Sequence, residues 1–238
     1  MKKKRLHTIY RILFEYYGPQ GWWPLKSLSG KEGFDKRGYH RGLYRYPVNE
    51  QQVFEIIVGA ILTQNTSWKN VERTIDILMT ERCLSLQSIA SGRKSFLASK
   101  IRSSGYYNQK AKKLKKTAEF FLSNPLSGEK HYPEREQLLT IWGIGEETAD
   151  SILLYAFKKP WFVIDTYTKR IFTRLGILSG NEKYTDVQQL FHSHLEKDVT
   201  MYNEYHALLV EHAKKHCTKK PICNGCPLKR YCHGYNIS

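Results

Sequence analysis

Four of the chain's five cysteines crowd its C-terminal end, as Cys217-x5-Cys223-x2-Cys226-x5-Cys232. Four thiolates in so short a stretch can bind tetrahedral zinc or an iron–sulfur cluster, and the spacing alone leaves both open. Basic pairs, Lys219-Lys220 and Lys229-Arg230, lie within the same loop and would present positive charge. A second chemical signal is "IWGIGEETAD" over residues 141–150, in which Gly143 and Gly145 suit a tight turn before a helix. Backbone N–H groups at such a helix start favour a phosphate, yet Glu146 and Glu147 stand there. The third signal is Asp165 in "WFVIDTYTKRIFTRLG". An Asp at a helix start is ordinarily a cap; facing a cleft, the same carboxylate can stabilise a cationic sugar or orient water.

These groups sit in a chain of 238 residues, long enough for one large domain or two small ones. A hydrophobic content of 41% is ordinary for a globular protein. The 38 Lys and Arg outnumber the 22 Asp and Glu, for a formal net charge of +16. That balance points to a polyanionic partner, and nucleic acid is favoured over a merely solubilising surface. No apolar run approaches the length of a membrane span, so no membrane association is expected. The opening "MKKKRLHTIYRILF" is basic and then apolar, but no small-residue cleavage site follows, so it is not read as a signal peptide. Its Leu6, Ile9, Tyr10, Leu13 and Tyr17 recur at helical spacing instead. A soluble, cytoplasmic protein is expected. Cys83 stands alone and reads as a small core residue.

The elements that position these groups read as helices. Asn49 and Gln52 have capping-box spacing before "VFEIIVGAILTQ". Segments near 67–80, 106–123, 133–140, 146–157, 166–175, 185–196 and 199–216 carry an apolar stripe. Links such as "SSG", "SNPLSGEK" and "LSGNEKY" separate several of them. No series of alternating strands appears, so the fold class is all-α. Between the first two helices lies a long segment rich in glycine, aromatic and basic residues, too long for a mere connector. It either carries function or is a floppy surface insertion.

Helix, Gly-Ile-Gly, helix, then Asp165 some twenty residues on, then the clustered cysteines: this order resembles the endonuclease III superfamily. Those proteins are the helix-hairpin-helix (HhH-GPD) DNA glycosylases with a C-terminal [4Fe–4S] loop. The resemblance covers roughly residues 48–232, through "GAILTQNTSWKNV", "SGYYNQKAKKLK" and "GIGEETADSILLYAF…VIDTYTKRIF". Within the superfamily the chain looks most like the methyladenine glycosylase III branch, through "WWP", "LTQNT", "YNQKAK" and the hairpin motif. The resemblance implies a two-lobed fold. One lobe would take residues 1–47 and 165–238, with the cluster loop at 217–232; the other, 48–164, would carry the helix-hairpin-helix at about 133–157. Departures are Trp142 in place of the usual hairpin proline and a first cysteine gap of x5 in place of x6.

Roles follow from the same resemblance. Cys217, Cys223, Cys226 and Cys232 would hold a [4Fe–4S] cluster, with zinc as the alternative. Asp165 matches the catalytic aspartate. Bifunctional members carry a lysine two residues after the hairpin, and that position here is Glu147, which cannot form a Schiff base. Glu146 is taken as a first-turn acid favoured by the helix dipole, and Glu147 as directed into the pocket. Gly143 and Gly145 would hold a DNA phosphate, and Gln64 would fill the gap left by an extruded base. Trp22, Trp23 and Pro24 would form a rigid apolar wall for a flat, cationic base, the two tryptophans' place in a polar loop arguing against a core role, and Trp68 falls where the methyladenine branch places a stacking aromatic. The implied function is a monofunctional DNA glycosylase for alkylated purines such as 3-methyladenine, acting as a monomer on damaged double-stranded DNA and associated with the nucleoid. The alternatives are a uracil, thymine-mismatch or adenine-mismatch glycosylase of the same fold, and a non-catalytic iron–sulfur protein that binds DNA.

Overall fold

The computed structural model describes residues 2–124 and 132–234. Its helices run in chain order as α1 (Lys2–Tyr17), α2 (Glu50–Leu62), α3 (Trp68–Thr80), α4 (Leu86–Ser91), α5 (Lys94–Lys100) and α6 (Tyr107–Ser123). There follow α7 (Arg135–Thr140), α8 (Glu146–Ser151), α9 (Thr166–Arg174), α10 (Tyr184–His194) and α11 (Val199–Lys215). No strand occurs among the described residues, so the architecture is all-helical. The helices expected from apolar stripes lie within about two residues of where the stripes placed them, apart from the C-terminal part of the one beginning at Glu146, which is a π turn over Ile152–Ala156. Short α4 and α5 were not expected. Part of the expected link "SNPLSGEK" lies outside the described residues.

Two compact units form, one from Met1–Trp22 with Lys159–Ser238 and one from Trp23–Lys158. In the first, α1 packs on α10 and α11, and α9 packs on α11. Leu6, Ile9 and Leu13, the stripe seen in the sequence, are buried there with Phe162, Phe172, Phe191, Tyr202 and Tyr205. Phe162 stacks on Phe191 at 3.9 Å, and the Tyr205 hydroxyl donates to the Leu6 carbonyl at 2.9 Å. The buried phenol thus keeps a partner, which offsets the cost of its desolvation.

In the second unit α2 is the central element. Every residue from Gln52 to Leu62 is buried, as expected of a helix that neighbours cover on all sides. It meets α3, α6, α8 and the π turn. Asn49 caps it by accepting from the Gln52 N–H, while Gln52 Oε1 accepts from the Val48 N–H. At its other end the buried Lys110 of α6 donates to the carbonyls of Leu62 (2.8 Å) and Ser104 (2.6 Å). A cation on the last carbonyls of a helix suits its dipole. Burial, with Lys113 nearby, pulls the Lys110 ammonium down to about 8. The result is a fixed exit from α2, and Gln64 follows within two residues.

The segment between Trp23 and α2 is ordered by its own contacts. Leu25 N–H donates to Gly38 O at 2.9 Å, and Gly38 has φ +86° with a Cβ position only 2.3 Å from the Leu25 carbonyl oxygen, so only glycine fits. Asp35 accepts from the N–H groups of Arg37 and Tyr39, Arg37 pairs with Glu72 of α3, and Phe34 packs on Tyr46. The alternative of a floppy insertion is thereby set aside. Cys83 is half-buried and donates to the Glu81 carbonyl, so it is not the core residue expected of a lone cysteine; it follows the end of α3, where the chain is already leaving the interior.

Candidate active site

The glycine turn joins α7 to α8 in the second unit. Gly143 has φ +84°, the left-handed region that glycine enters without steric cost, and Ile144 N–H closes the turn on Ile141 O at 3.0 Å. Gly145 is extended, at φ −100°, and serves as the N-cap residue of α8. Ile141 and Ile144 are buried and anchor the turn, while Gly143 and Gly145 stay exposed. The two helices are clamped by Arg135, whose Nε and Nη2 donate to the two oxygens of the fully buried Asp150 at 2.6 and 3.1 Å. The clamp is bidentate and charge-assisted, so it fixes orientation as well as distance. Glu146 lies 3.5 Å from the same guanidinium, and Glu147 is exposed in the first turn of α8. Trp142, 47% exposed, carries Lys112 Nζ 3.9 Å from its ring centre.

Gln64 reaches this turn. Its Nε2 donates to the Gly143 carbonyl at 3.3 Å and to Thr148 Oγ1 at 2.9 Å, and its Oε1 accepts from Lys113 Nζ. Lys113 lies within "SGYYNQKAKKLK", but nothing in the sequence gave it a role of its own. A Cβ on Gly143 would lie 2.6–2.9 Å from the Lys113 stem, so the glycine also makes room for that lysine.

The same unit gathers Trp23 and Trp68 edge to face, ring centres 5.4 Å apart, with Tyr155 of the π turn 5.1 Å from Trp23. Gly59 of α2 admits the Trp23 indole, since a Cβ there would lie 2.9 Å from its Nε1. The expectation that the "WWP" tryptophans stand exposed is therefore corrected for Trp23 and Pro24. Both are buried, because a glycine in the central helix opens a slot beside the loop, and Trp23 fills it. Trp68 is half-buried, and among the described residues its indole N–H meets no hydrogen-bond acceptor. Trp22 belongs to the first unit, where its ring stands edge-on to His206 at 5.8 Å.

Asp165, also in the first unit, is the N-cap residue of α9. Its Oδ1 accepts from the Thr168 N–H at 2.7 Å and the Thr168 hydroxyl at 2.8 Å. The other oxygen, Oδ2, faces His206 Nε2 of α11 at 3.8 Å. One carboxylate oxygen thus caps the helix while the other is turned to His206. Burial works against its charge, yet the facing His206 and the Thr168 bonds more than offset this, holding the carboxyl below its ordinary range. No motif marked His206; only the packing of α11 against α9 brings it there.

The four C-terminal cysteines line one small cavity of the first unit, with Ile171, Leu175 and Leu228. Arg174 of α9 donates to Cys217 Sγ at 3.1 Å and to the carbonyls of Thr218 and Lys219. Among the described residues no three His, Cys, Asp or Glu side chains gather closely enough for a single ion. Four thiols around one small cavity are a donor set that suits either zinc or an iron–sulfur cluster.

The profile of the HhH-GPD superfamily of base excision DNA repair proteins matches residues 58–197. A protein of Methanocaldococcus jannaschii described as a candidate DNA repair glycosylase is 43% identical over 238 residues, covering 97% of each chain. The solved structure of H. pylori 3-methyladenine DNA glycosylase (MagIII) bound to 1,N6-ethenoadenine superposes with a TM-score of 0.69 at 29% identity, over 90% of this chain and 97% of that one. Endonuclease III in a non-covalent complex with DNA shares the fold, with a TM-score of 0.75 at 19% identity over 100% and 98% of the two chains. The all-helical architecture is endonuclease III-like, and the chain belongs to the HhH-GPD superfamily of base excision DNA repair proteins.

Proposed function

We propose that the protein is a monofunctional glycosylase that releases alkylated purines such as 3-methyladenine from damaged double-stranded DNA and leaves the strand intact. The observation that carries this reading is the residue two places after the hairpin, the exposed Glu147, where a lyase needs an amine. The likeness to the 3-methyladenine glycosylase of H. pylori supports the substrate class. On this reading the exposed backbone of Gly143 and Gly145 receives a phosphate, and Gln64 fills the space of the extruded base. Trp68, half-buried, offers a flat face to an electron-poor base, with its N–H as a donor to it, and the buried Trp23 backs it edge to face.

Base release builds positive charge on the deoxyribose. Asp165 is ionised, and its Oδ2 is not used by the helix cap, so it stabilises that charge and orients the attacking water. Cys217, Cys223, Cys226 and Cys232 would hold a [4Fe–4S] cluster. Its contribution when bound is structural, because this chemistry needs no redox step. The chain's own Lys219, Lys220, Lys229 and Arg230 then supply the charge that meets DNA.

The test is a base-release assay across methylated, deaminated and mismatched duplexes, with and without later alkali. The expected result is release of methylated purine, strand breakage only after alkali, and no borohydride-trapped complex. Efficient trapping by the wild type would show that another lysine acts as nucleophile and that Glu147 was misread. Release of uracil or a mismatched base in preference would overturn the substrate class alone.

A further inference from the structure

Both N–H groups of the Gln64 amide are engaged by the protein, and its oxygen accepts from Lys113. Lysine is a donor only, so the atom that meets Lys113 Nζ is the amide oxygen, and the NH2 group must face the Gly143 carbonyl and Thr148 Oγ1. The chemistry of the partners therefore sets the amide's orientation. To pair with an orphaned base in DNA, Gln64 has to give up all three bonds. Meanwhile the Lys113 stem lies across Gly143, so its ammonium is carried on the turn that would receive a phosphate. Half-buried and short of water, that ammonium gains more from an anionic acceptor than from an amide oxygen.

We propose that Lys113, together with Thr148, is a latch that holds Gln64 on the hairpin until a DNA phosphate takes the Lys113 ammonium. Lys113 is a positioning residue acting through Gln64. Gap filling is thereby coupled to docking: the amide is withheld from undamaged DNA that merely brushes the surface, and freed where the hairpin has seated on a backbone. This inference rests on the reading of Gln64 as the gap-filling residue.

The experiment measures affinity for two duplexes, one undamaged and one with a stable abasic-site analogue, and takes the ratio. Variants of the full-length protein are Lys113→Met, Thr148→Val, Gln64→Ala and the two double variants with Gln64→Ala, each checked for an unchanged circular dichroism spectrum. Losing the latch should favour insertion where a gap exists and leave the undamaged complex without that gain. Lys113→Met and Thr148→Val should each raise the abasic-to-undamaged ratio about threefold or more, the size of one net hydrogen bond. Neither should change it in the Gln64→Ala background. Thr148→Val alters no charge, so its effect separates a latch from a plain phosphate contact. If Lys113→Met lowers affinity equally for both duplexes and in both backgrounds, Lys113 is only a phosphate ligand and the latch is refuted. A ratio that falls, or does not move in either single variant, also refutes it. If Gln64→Ala itself leaves the ratio unchanged, the gap-filling reading fails first, and the two failures are told apart.

Discussion

The Arg135–Asp150 clamp ties the two helices of the hairpin together, and breaking it has a calculable cost. Arg135→Met keeps much of the side-chain volume and removes the guanidinium from Asp150, which is 0% exposed. Removing one partner of a buried, bidentate pair costs about 3–5 kcal/mol, because the remaining charge loses its counter-ion without regaining water. Unfolding entropy of about 2.1 cal/mol/K per residue gives roughly 0.5 kcal/mol per degree for a chain of this length. The melting temperature should therefore fall by about 6–10 °C in scanning calorimetry. Asp150→Leu added to Arg135→Met should recover most of the loss, since two apolar side chains of similar volume leave no charge buried. Hairpin-dependent DNA affinity should fall in the single variant, because α7 and α8 lose what fixes their approach. A drop under about 2 °C, well below the cost expected when a buried carboxylate loses its guanidinium, would refute this reasoning. So would a double variant no more stable than the single one.

Asp165→Asn keeps an oxygen to accept from Thr168 and removes the charge, so lesion binding should persist while single-turnover base release falls about 100-fold, the order seen when one electrostatic stabiliser is lost. Because the folded-state carboxyl is held low, it stays ionised as pH falls through the ordinary carboxylate range near about 3.9, and the acid limb of wild-type base release should lie below that value. An acid limb above it would show that Asp165 is not the group that titrates. Purified protein should be brown with visible charge-transfer absorption; Cys217→Ser, Cys223→Ser, Cys226→Ser or Cys232→Ser should each bleach it and Cys83→Ser should not, whereas colourless protein with one zinc would remove the cluster. DNA affinity should fall steeply as salt rises, as filter binding or anisotropy would record, and a salt-independent constant would mean that the excess of basic residues is not the docking surface.

Periodicity was enough to place most of the helices, because an apolar stripe is a local property that burial in any helical core reproduces: Leu6, Ile9 and Leu13 line one face of α1 wherever α1 docks. It missed α4 and α5, six and seven residues long, which are too short for a stripe and lie against α6 through tertiary contact. Residue type and spacing also marked the cysteines, the glycine turn and Asp165, since metal binding, positive φ and helix capping each demand particular side chains at short range. What surrounds them was decided in three dimensions. His206 meets Asp165 from a helix that begins more than thirty residues later, and Lys113 meets Gln64 from α6, with nothing local to announce either. Trp23 looked exposed in its loop and is buried, because a missing Cβ at Gly59 and a π turn carrying Tyr155 build a slot that no reading of the loop alone contains. Local chemistry is written in neighbouring residues; the burial, partner and charge state of each group come from side chains distant in sequence, which only the packed fold brings within reach.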